Sequence, residues 1–218
     1  MRSTSIARWP AAPPTAISNI RTTLEKVLQA TELPKEQARF TAFLRTYKGT
    51  QGRAFHYFQS TNKPEEVVIV TTNTSRPDSR TVTTFPHQQF MPFLTNISSS
   101  HPDLKWDMKN ATGFNVGREA AVYSLARGDW IVRVGNLETQ GNPGQYKGLI
   151  VELEYTPLPY LPPTSPFFEQ FFASLLPPGN GWHLLSPPDA DLPEEKSEWT
   201  LSDTAQCYVE FAVKEGLA

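Results

Sequence analysis

Glu152 and Glu154, in the pentapeptide VELEY, are the residues whose spacing most directly suggests chemistry. Two carboxylates separated by one residue on a strand share a face. If that face lined a hollow β-structure, the pair could hold a hard divalent cation. Together they would serve a tunnel-type, metal-dependent phosphohydrolase. Such a site needs a second, opposing Glu-x-Glu and several inward cations. No second pair lies within an expected strand, and the available cations are Arg39, Arg45 and Arg133. The alternative is a half-solvated hairpin in which Leu149, Val151 and Leu153 face the core and the two glutamates face water.

The remaining reactive side chains form no constellation. His56, His87, His101 and His183 lack metal-ligand spacing and are expected to be surface or internally satisfied residues. Cys207, the one cysteine, falls at core spacing on an expected helix and reads as a buried thiol in a reducing compartment. There is no G-x-S-x-G, G-x-G-x-x-G or Walker-type loop. The glycines of GNPGQYKG join strand to strand and offer no helix N-terminus for a phosphate. Twenty Lys and Arg against 22 Asp and Glu give a net charge of -2. That balance argues against direct binding of nucleic acid, where affinity comes from neutralising phosphates. The opening residues lack the apolar core of a signal peptide, and no apolar run of about 18 residues suggests a membrane span.

The elements expected to carry these residues run as follows. Residues 3–9 suggest a strand ending in Trp9. Ile17, Ile20, Leu24, Val27 and Leu28 fall on one stripe of a helix over 15–30, capped by Thr15. Alternation over 38–49 places Phe40, Ala42 and Leu44 on one face. Residues 53–60 and 65–73 read as a hairpin, and 79–85 as a further strand. A helix over 87–99 must start near Gln89, because Pro92 is tolerated only in a first turn. Residues 104–116 suggest an edge strand and turn, and 118–128 another strand. The clearest feature is a hairpin with strands 129–138 and 146–155 around a Gly/Pro/Asn loop. Ten of the chain's 20 prolines fall between Pro157 and Pro193. They mark a stiff connector over 156–166 and an aperiodic stretch over 177–199. Between these, Ser165-Pro166 opens a helix whose Phe167, Phe168, Phe171, Phe172, Leu175 and Leu176 form a docking stripe. Thr200 and Asp203 resemble a capping box for a last helix to Glu215, with Ala205, Tyr208, Val209, Ala212 and Val213 inward. The whole suggests an α+β chain, one domain over 1–218, in which about eight antiparallel strands form a curled sheet or barrel decorated by about four helices.

The stretch VRVGNLETQGNPGQYKGLIVELEY resembles the signature hairpin of the Mediator complex subunit 20 family, in its fungal-type form. There a V-R/K-V-G strand is followed by a loop and then K-G-L-x-V/I-E-L/V-E-Y. Val132 to Asn136 and Lys147 to Tyr155 match that form. The opening STSIARWPAAPPTAISNIRTTLEKV and the closing DTAQCYVEFA resemble the family's first strand and helix and its last helix. The Pro-rich segments 156–166 and 177–199 look expanded relative to it. The resemblance implies a decorated antiparallel β-barrel in the head module of Mediator. It implies pairing with the related barrel of subunit 18 near a helix of subunit 8, and association with TATA-binding protein and the RNA polymerase II machinery in the nucleus. It implies no catalysis, cofactor or metal. With no basic import cluster in the sequence, import alongside a partner is expected. Proline-flanked aromatic and aliphatic side chains lose little entropy on ordering, so Leu158, Tyr160, Leu161 and Trp182 are the expected interface residues.

Overall fold

The computed structural model describes residues 2–34, 39–76, 79–100, 106, 110–140, 144–178, 181–187 and 197–218. Among the described residues ten strands and four α-helices follow in the order β1 (Ser3–Trp9), α1 (Ala16–Thr22), β2 (Thr31–Glu32), β3 (Ala42–Lys48), β4 (Arg53–Ser60), β5 (Glu66–Asn73), β6 (Thr81–Pro86), α2 (His87–Ser100), β7 (Thr112–Leu125), β8 (Trp130–Thr139), β9 (Tyr146–Tyr155), α3 (Pro166–Leu175), β10 (His183–Leu185) and α4 (Leu201–Lys214). All pairings are antiparallel, in the order β10-β1-β9-β8-β7-β3-β4-β5-β6, with β2 added beside β7.

This sheet is curled but not closed. Asn62, in the β4–β5 turn, donates from Nδ2 to Oε1 of Glu152 on β9 at 2.8 Å. Those strands are four steps apart in the sheet, roughly 19 Å if it were flat. The two ends of the strand order, β10 and β6, do not pair with each other. Both meet α4 instead. Glu210 of α4 binds Arg80 beside β6 at 3.3 Å, and Glu215 binds Arg8 of β1 at 2.8 Å. The expected closed barrel of about eight strands is therefore an open sheet of ten strands, with a helix lying across the gap.

Burial on both faces follows from this arrangement. The concave face sends Ile6, Leu44, Phe58, Val70, Phe114 and Ile150 against Tyr208, Phe211 and the rest of α4. The convex face carries two separate clusters. One, under α1 and α3, contains Leu149, Val151 and Leu153 with Phe168 and Phe172. The other, under α2, contains Phe55, Tyr57, Ile69 and Phe90. At about 1.5–3 kcal/mol per buried large side chain before chain entropy, each cluster strongly favours the folded arrangement.

Several local expectations change. Thr15 precedes α1 without a side-chain cap bond. The helix then widens into a π-turn over Thr23–Val27, which rotates later residues off the stripe. Leu24 stays buried, whereas Val27 is 71% exposed. α2 begins at His87, two residues before Gln89, and accommodates Pro92 within the helix. Residues 112–116 belong to long, central β7, not to an edge, and β7 runs on through 125 with irregular register after Val116. Inside the aperiodic stretch, His183–Leu185 pairs with β1. Ser165 caps α3 as expected, and Thr200 with Asp203 forms the capping box of α4. Val213, expected inward, is half exposed.

Candidate functional site

The alternation of β9 sends Ile150, Glu152 and Glu154 to the concave side, and Leu149, Val151 and Leu153 to the convex one. The leucines and valine thus face a core, as expected. Glu152 does not face water: it is 0% exposed. Its partner follows from register, since Arg133 of β8 stands opposite Glu152. The guanidinium spans both carboxylates, Nη1 donating to Glu152 Oε1 at 2.9 Å and Nη2 to Glu154 Oε2 at 2.6 Å. Asn62 supplies the further donor to Glu152 Oε1.

Burial dominates the electrostatics here. It pushes the Glu152 carboxyl above its ordinary pKa, and the charges and hydrogen bonds of Arg133 and Asn62 only partly offset it. Burial also opposes the charge of Arg133, but the two carboxylates more than restore it, so its pKa is raised and it stays ionised. Tyr208, buried on the facing helix, has its phenol pKa raised by burial and by the nearby Glu152 charge. Among the described residues, Glu152 Oε2 and Tyr208 OH have no hydrogen-bond partner.

These residues do not fit a hard divalent cation. One oxygen of each glutamate is already engaged by a guanidinium, whose positive charge would repel a cation placed between them. No group of three or more His, Cys, Asp or Glu with metal-holding geometry occurs among the described residues. The arrangement is a desolvated ion triad that ties β8 and β9 to the β4–β5 turn. Arg133 was among the cations available to the tunnel reading, but neither reading paired it with the two glutamates or included Asn62, 90 residues from Glu152.

The other singled-out side chains are also accounted for by packing. His56 is buried between two hydroxyls, its Nδ1 2.9 Å from Thr46 Oγ1 and its Nε2 2.9 Å from Thr72 Oγ1. Burial, then the charges of Arg80 and Lys48, pushes its pKa down to about 4. His87 and His183 are exposed, and His101 lies outside the described residues. Cys207 is a buried free thiol. Arg39 and Arg45 stand exposed, remote from the glutamates in the sheet order.

The expected interface residues divide by exposure. Leu158 is 43% exposed, while its carbonyl accepts from Ser3 N at 3.4 Å. Tyr160 is half-buried against the cluster around α4. Leu161 and Trp182 are half-buried against the α1–α3 cluster, Trp182 near the ring of Phe172. The α3 stripe docks on the chain's own sheet through Phe168, Phe172, Leu175 and Leu176. Phe167 remains 42% exposed. It stacks on Trp130 and meets Tyr155 edge-on. The signal for this patch was present in the sequence as aromatic residues flanking the signature hairpin.

The family described as "TATA-binding related factor (TRF) of subunit 20 of Mediator complex" matches residues 1–212. No curated protein matches the chain in sequence. Among solved structures, the PH1012 protein from Pyrococcus horikoshii OT3 is similar at TM-score 0.35 and 10% identity, over 79% of this chain and 85% of its own. The conserved hypothetical protein Pfu-838710-001 from Pyrococcus furiosus is similar at TM-score 0.35 and 10% identity, over 79% of this chain and 86% of its own. Likenesses at that level carry no argument about fold or function.

Proposed function

The chain belongs to the Mediator subunit 20 family, and from that premise we propose that it is a non-catalytic subunit of the Mediator head module that pairs with subunit 18. A Mediator subunit acts in transcription, and Mediator is a nuclear complex. The carrying observation is the family match over residues 1–212 of 218. The proposal extends to a position near the subunit 8 helix and to contact with TATA-binding protein and the RNA polymerase II machinery. It includes no direct grip on nucleic acid, in keeping with the net charge of -2.

The neutralised glutamates support a binding role over a hydrolytic one. In this reading the chain acts as one unit, and its value to the complex lies on its outer surface. The connector with Leu158, Tyr160 and Leu161, together with Trp182, forms the surface toward subunit 18. Leu158 is its most exposed point, and the partly exposed Phe167 adds apolar area nearby in sequence.

Co-expression with subunit 18 and gel filtration test this reading. A stable one-to-one complex is expected, and Leu158→Ser with Tyr160→Ser should lower its recovery severalfold while circular dichroism stays unchanged. Elution of the two chains apart at micromolar concentration would rule the pairing out.

A further inference from the structure

We propose that the strip of the convex face over β3, which none of the described helices covers, seats one acidic amphipathic helix of another protein. Register defines the strip. Phe43 stands between Gln59 of β4 and Asn115 of β7, and Arg45 between Tyr57 and Gly113. Thr41, Phe43, Gln59, Thr61, Pro64 and Asn115 line a groove of about 330 Å³ there. The groove lies between the two helix-covered regions of the convex face. α2 packs over Phe55 and Tyr57 of β4, and α1 packs over Ala121 and Tyr123 farther along β7.

Two glycines explain why the strip is bare. Gly113 and Gly117 flank Asn115 on the outward side of β7, so two of three successive outward positions carry no side chain. Neither can readily gain one: a Cβ at Gly113 would clash with the Leu44 carbonyl oxygen, and one at Gly117 would sit 2.8 Å from Thr41 Cγ2. The chain's own β3 backbone closes on Gly113, and Gly117 sits where the β7–β8 register shifts, so the glycines keep this strip low.

The occupant's form follows from the backbone. β3 is paired on both sides, to β4 and β7, so it offers no free edge for an added strand. A segment that docks here must do so through side chains, as α1, α2 and α3 do elsewhere on the same face. The occupant's charge follows from the ends of the strip. Arg39 and Arg45 are exposed, and neither has an acidic partner among the described residues. Among the described residues Arg45 donates to the neutral Gln140 side chain, at 3.2 Å, and lies over the Phe43 ring at 5.8 Å. The third cation, Lys63, is already paired with Glu66 at 3.6 Å. Arg39 lies three residues before β3 and Arg45 within it, a six-residue spacing that at an extended rise spans roughly 20 Å. A helix along β3 would therefore place carboxylates about 13 residues apart, with an apolar stripe between them that meets Phe43 and Pro64.

This inference rests on the assembly reading for its setting, but on a different face from the connector. The test places a benzophenone photo-crosslinking residue at Asn115 in the full chain within purified Mediator, and maps the linked peptide by mass spectrometry. The expected product is a helical segment of another subunit with acidic residues spaced as above. Arg39→Glu with Arg45→Glu should cut that product about tenfold, whereas Arg45→Lys should retain most of it. Absence of the chain from the assembly overturns the functional reading on which the inference rests. A chain present in the assembly but with no crosslink, with crosslinks to a basic or extended segment, or with a yield unmoved by the charge reversals overturns the groove proposal alone.

Discussion

His56 shows how a side chain that could do chemistry is instead held out of it. Its two ring nitrogens are each met by a threonine hydroxyl, a group that can donate or accept. Protonation is opposed by burial and by the Arg80 and Lys48 charges, which hold the pKa near 4 in the folded chain against 6.5 for an unperturbed histidine. Above pH 6.5 the ring is neutral folded or unfolded and pH has no leverage through it. As pH falls from 6.5 toward 4, the unfolded chain takes up a proton that the folded chain refuses, so stability drops. At about 1.4 kcal/mol per pH unit the total is about 3 kcal/mol, complete below pH 4. Glu152 works in the opposite sense. Its raised pKa means that the folded chain takes a proton first as pH falls, which favours folding in acid. His56→Gln should therefore flatten the acid limb: between pH 7 and 4.5, urea unfolding should show the parent chain losing about 2–3 kcal/mol more than the variant. Parallel losses in the two chains would contradict a buried neutral imidazole. None of this was legible locally, because a lone histidine in RAFHYFQS gives no sign that Thr46 and Thr72 stand on either side of it.

At the scale of elements, local chemistry was legible wherever the deciding partners are close in sequence. The signature hairpin was placed to within one residue at each strand end, since alternation and the Gly/Pro loop are local. Ser165-Pro166 and Thr200 with Asp203 start their helices where cap chemistry requires. The misses share one cause, which is long-range packing. Phase was lost in the first helix where a π-turn intervenes, and the Pro92 constraint was overridden in a helix packed on β5 and β6. β10 is three residues long and exists because β1 is there to pair with it. The α4 cap carries a measurable consequence. Asp203 Oδ2 accepts from both the backbone N and the hydroxyl of Thr200, each at 2.7 Å, and the box fixes the start of a helix buried on most of its surface. Thr200→Ala should cost about 1–2 kcal/mol in urea unfolding, the upper part of the usual range for a cap. A cost within 0.3 kcal/mol would mean that packing alone positions this end of the helix.

The shape of the whole molecule is set by α4, and here the sequence was least explicit. A helix expected to show one inward stripe buries Leu201, Asp203, Thr204, Ala205, Cys207, Tyr208, Val209, Phe211 and Ala212. Burial on so many sides is the mark of a helix enclosed by other elements, not one laid on a surface. It explains why the sheet curls without closing. Strands that might have paired across the gap meet a helix, and Phe58, Phe114 and Ile6 share one apolar cluster with it. Glu152 and Arg133 lie on the same concave side, so the helix also keeps water from the ion triad. Without α4 the concave cluster would face solvent, as would the buried Glu152 carboxylate. A chain ending at Glu198 should therefore lose cooperative unfolding. It should bind a hydrophobic dye and show strand-rich circular dichroism without a sharp thermal transition. Adding residues 199–218 back as a separate peptide should restore the transition in a concentration-dependent way, because anything that binds only the folded sheet stabilises it by mass action. Persistence of a sharp, dye-free transition in the shortened chain would mean that the sheet holds its curl unaided, and that α4 rests on a preformed surface.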